Sequence, residues 1–265
     1  MSILLIGAGR MGSALLKGWL KSGAKSIQVV EPQPSPELRK LAKAKKISLF
    51  AVPSQVKRKP SVCVVAIKPQ VLKGEAAALT GFAASGALML SIAAGTSIAA
   101  LTKAWGRKAR IIRAMPNTPG AIGAGITGLY AARGVTSADK KRAVALLSAL
   151  GQTEWVAKEE LIDSVTAVSG SGPAYLFLMA EALTEAGIAE GLPRAQAETF
   201  ARATVAGAGA LLAADRSTAS ALREAVTSPG GTTAAALSVL MADDGLVALM
   251  KRAVQAARKR AEELR

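Results

Sequence analysis

The sequence predicts an α/β protein, with an N-terminal Rossmann-type doubly wound sheet over 1–157 followed by an all-helical module over 158–265. Three observations carry this expectation. A buried-strand run, Ile3–Ile6, passes directly into a glycine turn. Short apolar runs then alternate with helical patterns, as βαβ units and a parallel sheet require. From Glu159 onward no convincing strand pattern is found.

The turn after the first strand, Gly7-Ala8-Gly9-Arg10-Met11-Gly12, is GxGxxG between a strand and a helical pattern that ends near Gly23. Gly7 permits the tight turn, Gly9 lets a pyrophosphate approach the backbone, and Gly12 lets the helix pack on the strand. The bland reading is a glycine-rich turn without a ligand; the setting favours a dinucleotide cofactor. The second strand, Ile27–Val30, ends at Glu31. An acid there accepts hydrogen bonds from an adenosine ribose and repels a 2′-phosphate, which favours NADH. The loop beyond supplies Ser35 and Arg39, which suit a phosphate, so NADPH stays open as well.

Three further strands follow. Val62–Ile67 ends in Lys68-Pro69, Leu88–Ile92 ends in Ala93-Ala94-Gly95, and Arg110–Ala114 ends in Met115-Pro116-Asn117-Thr118-Pro119. In a doubly wound parallel sheet the strand C-termini form the ligand crevice, so Asn117 is expected to contact cofactor. Small residues at Ala93, Ala94 and Gly95 leave room for a nicotinamide ring. Lys68 reads either as a catalytic lysine or as a contact to cofactor phosphate or ribose, and its place before a proline at a strand end favours the second. Gly125–Tyr130, a helix over Ser137–Leu150 and a last strand, Thr153–Val156, close this half.

Helical segments then run over Lys158–Val168, Ser171–Ala189, Pro193–Ala214, Ser217–Val226, Thr232–Ala242 and Asp244–Leu264. Gly187 and Gly191 supply stop signals, and Pro193 opens a first turn. Alanine and glycine dominate the faces, so helices can approach closely, yet few bulky residues remain to build a solitary core. Burial against a second copy is the simplest remedy, and an obligate dimer with interleaved helices is expected. Within this region Thr227-Ser228-Pro229-Gly230-Gly231-Thr232-Thr233 breaks the pattern. It reads as a turn between helices, or as a bare helix start whose free N–H groups and flanking hydroxyls seat a carboxylate.

Composition narrows the chemistry. Hydrophobic residues make up 51% of the 265, but no apolar run approaches the roughly 20 residues of a spanning helix. No leader peptide is expected ahead of the glycine turn, and the single cysteine, Cys63, excludes a disulfide within the chain; a cytoplasmic protein is expected. There is no histidine, which removes imidazole metal sites, Ser-His-Asp chemistry and any histidine acid or base. No metal site is expected. The net charge of +16 raises nucleic acid as a partner. The basic clusters, Lys40–Lys46, Lys57-Arg58-Lys59 and Arg258-Lys259-Arg260, lack interleaved aromatics and read as solvated faces. Attraction of a small anionic cofactor and substrate is the milder reading.

Taken in order, Gly7–Gly12, Ala66–Pro69, Ser91–Gly95, Arg113–Pro119, Val168–Tyr175, Gly191–Arg194 and Ser228–Thr233 make the chain resemble the pyrroline-5-carboxylate reductase family over essentially its whole length. The resemblance implies NADPH- or NADH-dependent hydride transfer to the C=N carbon of a cyclic imine, giving L-proline. It implies that Ser228, Gly231, Thr232 and Thr233 hold the substrate carboxylate, with Thr233 also relaying a proton, and that Glu159 lies near the substrate. By the same resemblance Ala66, Ile67, Lys68 and Pro69, with Ile92, Ala93 and Ala94, line the cofactor. It further implies dimers that share active sites, assembled in some members as a decamer of five dimers. Two departures stand out: Glu31, where relatives often carry serine, threonine or arginine, and Ala225, where some carry a polar residue. A β-hydroxyacid dehydrogenase shares the plan but relies on a lysine in its second domain, and Ser169–Glu190 contains none. A non-catalytic NAD(P)-binding sensor is the remaining alternative.

Overall fold

In a computed structural model of the protein, residues 1–264 are described. Among the described residues eight strands form one sheet: β1 (Ile3–Ile6), β2 (Ile27–Val30), β3 (Ser48–Phe50), β4 (Val62–Val65), β5 (Leu88–Ser91), β6 (Arg110–Met115), β7 (Gly125–Ala131) and β8 (Gly151–Trp155). Their order is β3-β2-β1-β4-β5-β6-β7-β8, with the chain reversing direction across the sheet at the β1–β4 pair. All neighbours are parallel except β6 and β7. The doubly wound sheet is therefore parallel at every pair but one. The cause is the link between the two strands, a short 3-10 segment, Thr118–Ile122, in place of a crossover helix. So short a link joins antiparallel strands, whereas a parallel pair needs a dozen residues or more.

The helices of the sheet unit are α1 (Arg10–Lys21), α2 (Pro36–Lys43), α3 (Pro69–Glu75), α4 (Thr80–Ala84), α5 (Ile98–Trp105), α6 (Ser137–Leu147) and α7 (Leu161–Val165). Alternation along β1 divides the core between the two faces of the sheet. Ile3 and Leu5 join Leu15, Trp19 and Leu146 on one face, while Leu4 and Ile6 join Leu72, Leu101 and Trp105 on the other. Each such side chain, once buried, contributes roughly 1.5–3 kcal/mol. The indoles do not leave their N–H groups unpaired: Trp19 donates to the Leu146 carbonyl at 2.8 Å and Trp105 to that of Ala76 at 2.9 Å. Cys63 lies inside the second cluster, and burial pushes its thiol well above the usual range. It remains a protonated, unreactive core residue at neutral pH.

The helical segments from α7 onward depart little from expectation. The expected helix over Lys158–Val168 is instead the short α7 followed by a π-helical turn, Thr166–Gly170, and the helix expected to reach Leu150 gives way to a 3-10 turn at Ser148–Leu150. Then come α8 (Gly172–Ala189), α9 (Arg194–Ala214), α10 (Ala219–Ala225), α11 (Thr232–Leu240) and α12 (Leu246–Glu263). Two compact units result: Met1–Gly170 with the residues from Arg258 onward, and Ser171–Ala257. The first thus runs past the 157/158 boundary and takes back the end of the chain. Within the second, α8 and α9 form a hairpin that buries Thr184, Ala197 and Ala201, and little else. Among the described residues no helix is long and apolar enough to cross a membrane.

Candidate active site

The strand register brings the expected cofactor residues to one edge of the sheet. Ile6 pairs with Val30 and Val65, and Val65 with Ser91, so Gly7, Glu31, Ala66 and Ile92 all leave the sheet at the same level. Backbone hydrogen bonds continue one residue further, from Gly7 to Val30, Ala66 to Ile6 and Ile92 to Val65. The point where strand order reverses is where open α/β sheets bind ligands, and here it lies between the glycine turn and Ala66–Pro69.

The three glycines of the turn are required for different reasons. Gly7 has φ +87°, and a Cβ would lie 2.6 Å from Ile67 Cγ2 and 2.9 Å from the Ala66 carbonyl oxygen. At Gly12 a Cβ would overlap the Gly7 carbonyl oxygen, so α1 can start this close to β1 only without a side chain. Gly9 differs, since a Cβ there would meet nothing within 4 Å. Its bareness leaves open space beside the N-terminus of α1, which has Gly9 as its cap and no side-chain cap hydrogen bond. Arg10, Met11 and Gly12 occupy that first turn, where backbone N–H groups have no helical acceptor. An open cradle with free donors at a helix start fits a dinucleotide pyrophosphate.

Glu31 is more constrained than the sequence implied. Its Oε2 accepts the Ala8 N–H at 2.8 Å and its Oε1 accepts the Gln33 N–H at 3.1 Å. One carboxylate therefore braces the glycine turn against the loop after β2 and places negative charge where an adenosine ribose would lie. Ser35 caps α2, its Oγ accepting the Leu38 N–H at 3.3 Å. The Arg39 Nε donates to the Pro34 carbonyl at 3.1 Å, and the Arg10 side chain is exposed. Lys68 is exposed at the cap of α3, with Pro69 in its first turn. Ala93 is buried while Ala94 is exposed. Asn117 has its amide engaged within the protein: Oδ1 accepts the Ile126 N–H at 3.0 Å and Nδ2 donates to Ser169 Oγ at 3.2 Å.

Glu159 accepts the Ile98 N–H at 2.7 Å and pairs with Arg113 at 3.0 Å, both through Oε1. Arg113 is 2% exposed and also meets Asp163 at 3.4 Å. The importance of Arg113 and Asp163 escaped the sequence reading. The available signal was an arginine inside the apolar run of β6, since a buried cation needs carboxylates.

In the helical unit, described by itself, the Thr227–Thr233 break is a turn that ends in a bare helix start. Ser228 accepts the Gly231 N–H at 3.0 Å, Gly230 takes φ +69°, and Gly231 caps α11 with no side-chain hydrogen bond. Thr232 and Thr233 are the first two residues of α11. Their N–H groups, with the exposed Ser228, leave donors for an anion.

The sheet, its switch-point crevice and the glycine cradle define a dinucleotide-binding oxidoreductase. Residues 159–264 match the family described as pyrroline-5-carboxylate reductase dimerisation, and 2–95 match that described as NADP oxidoreductase, coenzyme F420-dependent. A pyrroline-5-carboxylate reductase of Pseudomonas aeruginosa is 38% identical, over 99% of this chain and 96% of the relative. A solved pyrroline-5-carboxylate reductase from Coxiella burnetii superposes with a TM-score of 0.91 at 36% identity, covering 99% of this chain and 98% of that one. A Plasmodium falciparum pyrroline carboxylate reductase with NADP bound gives 0.82 at 26%, covering 100% and 98%. The chain belongs to the pyrroline-5-carboxylate reductase family.

Proposed function

We propose that the protein reduces 1-pyrroline-5-carboxylate to L-proline with NADPH or NADH, the last step of proline synthesis. The full-length likeness to pyrroline-5-carboxylate reductases carries this reading. The bound dihydronicotinamide supplies a hydride to the C=N carbon, and the imine nitrogen takes up one proton. The chain's own residues bind, orient and protonate. The glycine turn and the first turn of α1 hold the pyrophosphate, and Ala66–Pro69 with Ile92–Ala94 line the crevice. Ser228, Gly231, Thr232 and Thr233 hold the substrate carboxylate at the start of α11, where the helix dipole favours an anion. The Thr233 hydroxyl relays the proton. A basic imine nitrogen needs only a hydroxyl or water as donor, which suits a chain without histidine.

The protein forms homo-oligomers through its dimerisation region. Our reading goes further: Ser228–Thr233 complete the active site of a second subunit, dimers assemble as a decamer, and the enzyme works in the cytoplasm. Steady-state turnover of pyrroline-5-carboxylate with each cofactor is the direct test. Consumption of NADPH or NADH dependent on that substrate is expected; cofactor binding without turnover favours a sensor instead.

A further inference from the structure

The turn between β5 and α5, Ile92–Ser97, carries the small residues that our functional reading sets against the cofactor ring. Four contacts fix its course. The Ile92 N–H bonds to the Val65 carbonyl at 3.0 Å, and the Ala93 N–H bonds to Ser91 Oγ at 3.3 Å. At Gly95, where φ is +66°, a Cβ would stand 3.0 Å from the Leu264 carbonyl oxygen, so the end of the chain lies directly against the turn. The far end is tied by Glu159, whose Oε1 receives the N–H of Ile98, the first residue of α5. A carboxylate at that position is also favoured by the helix dipole.

The same oxygen receives Arg113 Nη1 at 3.0 Å, and Arg113 is buried in β6, the neighbour of β5. Arg113 can neither turn to solvent nor lose its charge, so it fixes where the Glu159 oxygen sits. The chain of contacts therefore runs from a rigid strand, through one carboxylate oxygen, to the exit of the cofactor-lining turn. This geometry gives the carboxylate a defined task that needs no contact with the substrate.

We propose that Glu159 is a positioning residue that holds the Ile92–Ser97 turn in its cofactor-binding course through Ile98 and Arg113, and that it does not touch the substrate. The proposal rests on the cofactor reading above and not on the identity of the imine. The test measures NADPH and NADH affinity directly, by fluorescence titration of the full-length protein, beside KM for pyrroline-5-carboxylate. Glu159→Ala loses a charge-assisted hydrogen bond and is expected to weaken cofactor binding about tenfold, with KM for the imine within about twofold. Glu159→Gln retains an oxygen that can accept from both donors and should bind cofactor within about threefold of wild type.

Unchanged cofactor affinity in Glu159→Ala overturns the proposal, and so does a raised imine KM with cofactor affinity unmoved. Should the alanine variant fail to fold by circular dichroism, Glu159→Asp decides. It keeps the charge but withdraws the oxygen by one methylene, so weakened cofactor binding supports the proposal and wild-type binding refutes it. Because the titration needs no turnover, wild-type protein inert toward pyrroline-5-carboxylate would count against the reaction alone.

Discussion

At Gly9 the missing side chain serves nothing within the protein, because a Cβ there would touch no atom. Gly9→Val should therefore leave the melting temperature near wild type and abolish NADPH and NADH binding; a folded variant with normal affinity would remove the pyrophosphate from this turn. Gly7 and Gly12 carry the opposite expectation, since a side chain at either collides with backbone. At Glu31 two tasks coincide, bracing the Ala8 N–H and setting charge beside the ribose site. Glu31→Ser should raise the NADPH/NADH ratio of kcat/KM, and an unmoved ratio would show that this carboxylate does not govern the choice. The glycines and Glu31 were legible because their spacing is local. The partners of Arg113 were not, since Glu159 and Asp163 lie 46 and 50 residues further along. Only the fold brings the three together.

Among elements, α11 and α6 give contrasting helix starts. The start of α11 is bare, and Thr233→Val, which keeps the size but removes the hydroxyl, should lower kcat/KM strongly while cofactor affinity holds. Unchanged turnover would exclude Thr233 as proton relay. The start of α6 is closed by a capping box between Thr136 and Asp139. Burial opposes ionisation of Asp139, but hydrogen bonds from the Thr136 hydroxyl and N–H, then Arg110, hold its carboxyl below the usual carboxylate range. The folded value lies below the unfolded one of about 3.9, so the stabilisation is complete above that pH and is lost as pH falls through the folded value. Asp139→Asn should cost on the order of 2 kcal/mol at pH 7, with the gap to wild type closing as both are unfolded at more acid pH. A gap independent of pH would exclude the ionised form as its source. Most elements were readable from apolar runs and glycine or proline signals. The strand β3 was missed because Ser48–Phe50 has three residues behind a lysine-rich stretch, too few to show a period. The reversal at β7 was missed because strand direction is a property of the connection, not of the strand.

For the molecule as a whole, the distribution of apolar surface sets the assembly. In α8 the consecutive Leu176, Phe177 and Leu178 are 59%, 64% and 63% exposed, and Val239 in α11 is 71% exposed. Consecutive residues point in different directions around a helix, so α8 is apolar on more than one side and is a helix to be enclosed. Phe177→Glu should shift the protein toward monomer in sedimentation or light scattering and reduce turnover per chain; an unchanged mass would place the interface elsewhere. The return of the chain from Arg258 onward to the sheet unit bears on a different matter, the order of events during synthesis. The glycine turn leaves the ribosome long before the backbone that rests against Gly95 is made. With all of Ser171–Ala257 translated in between, at about 5–20 residues per second, the cofactor unit must wait on the order of several seconds for the residues from Arg258 onward. A message truncated just before Arg258 would leave the cofactor unit without the backbone that rests against Gly95.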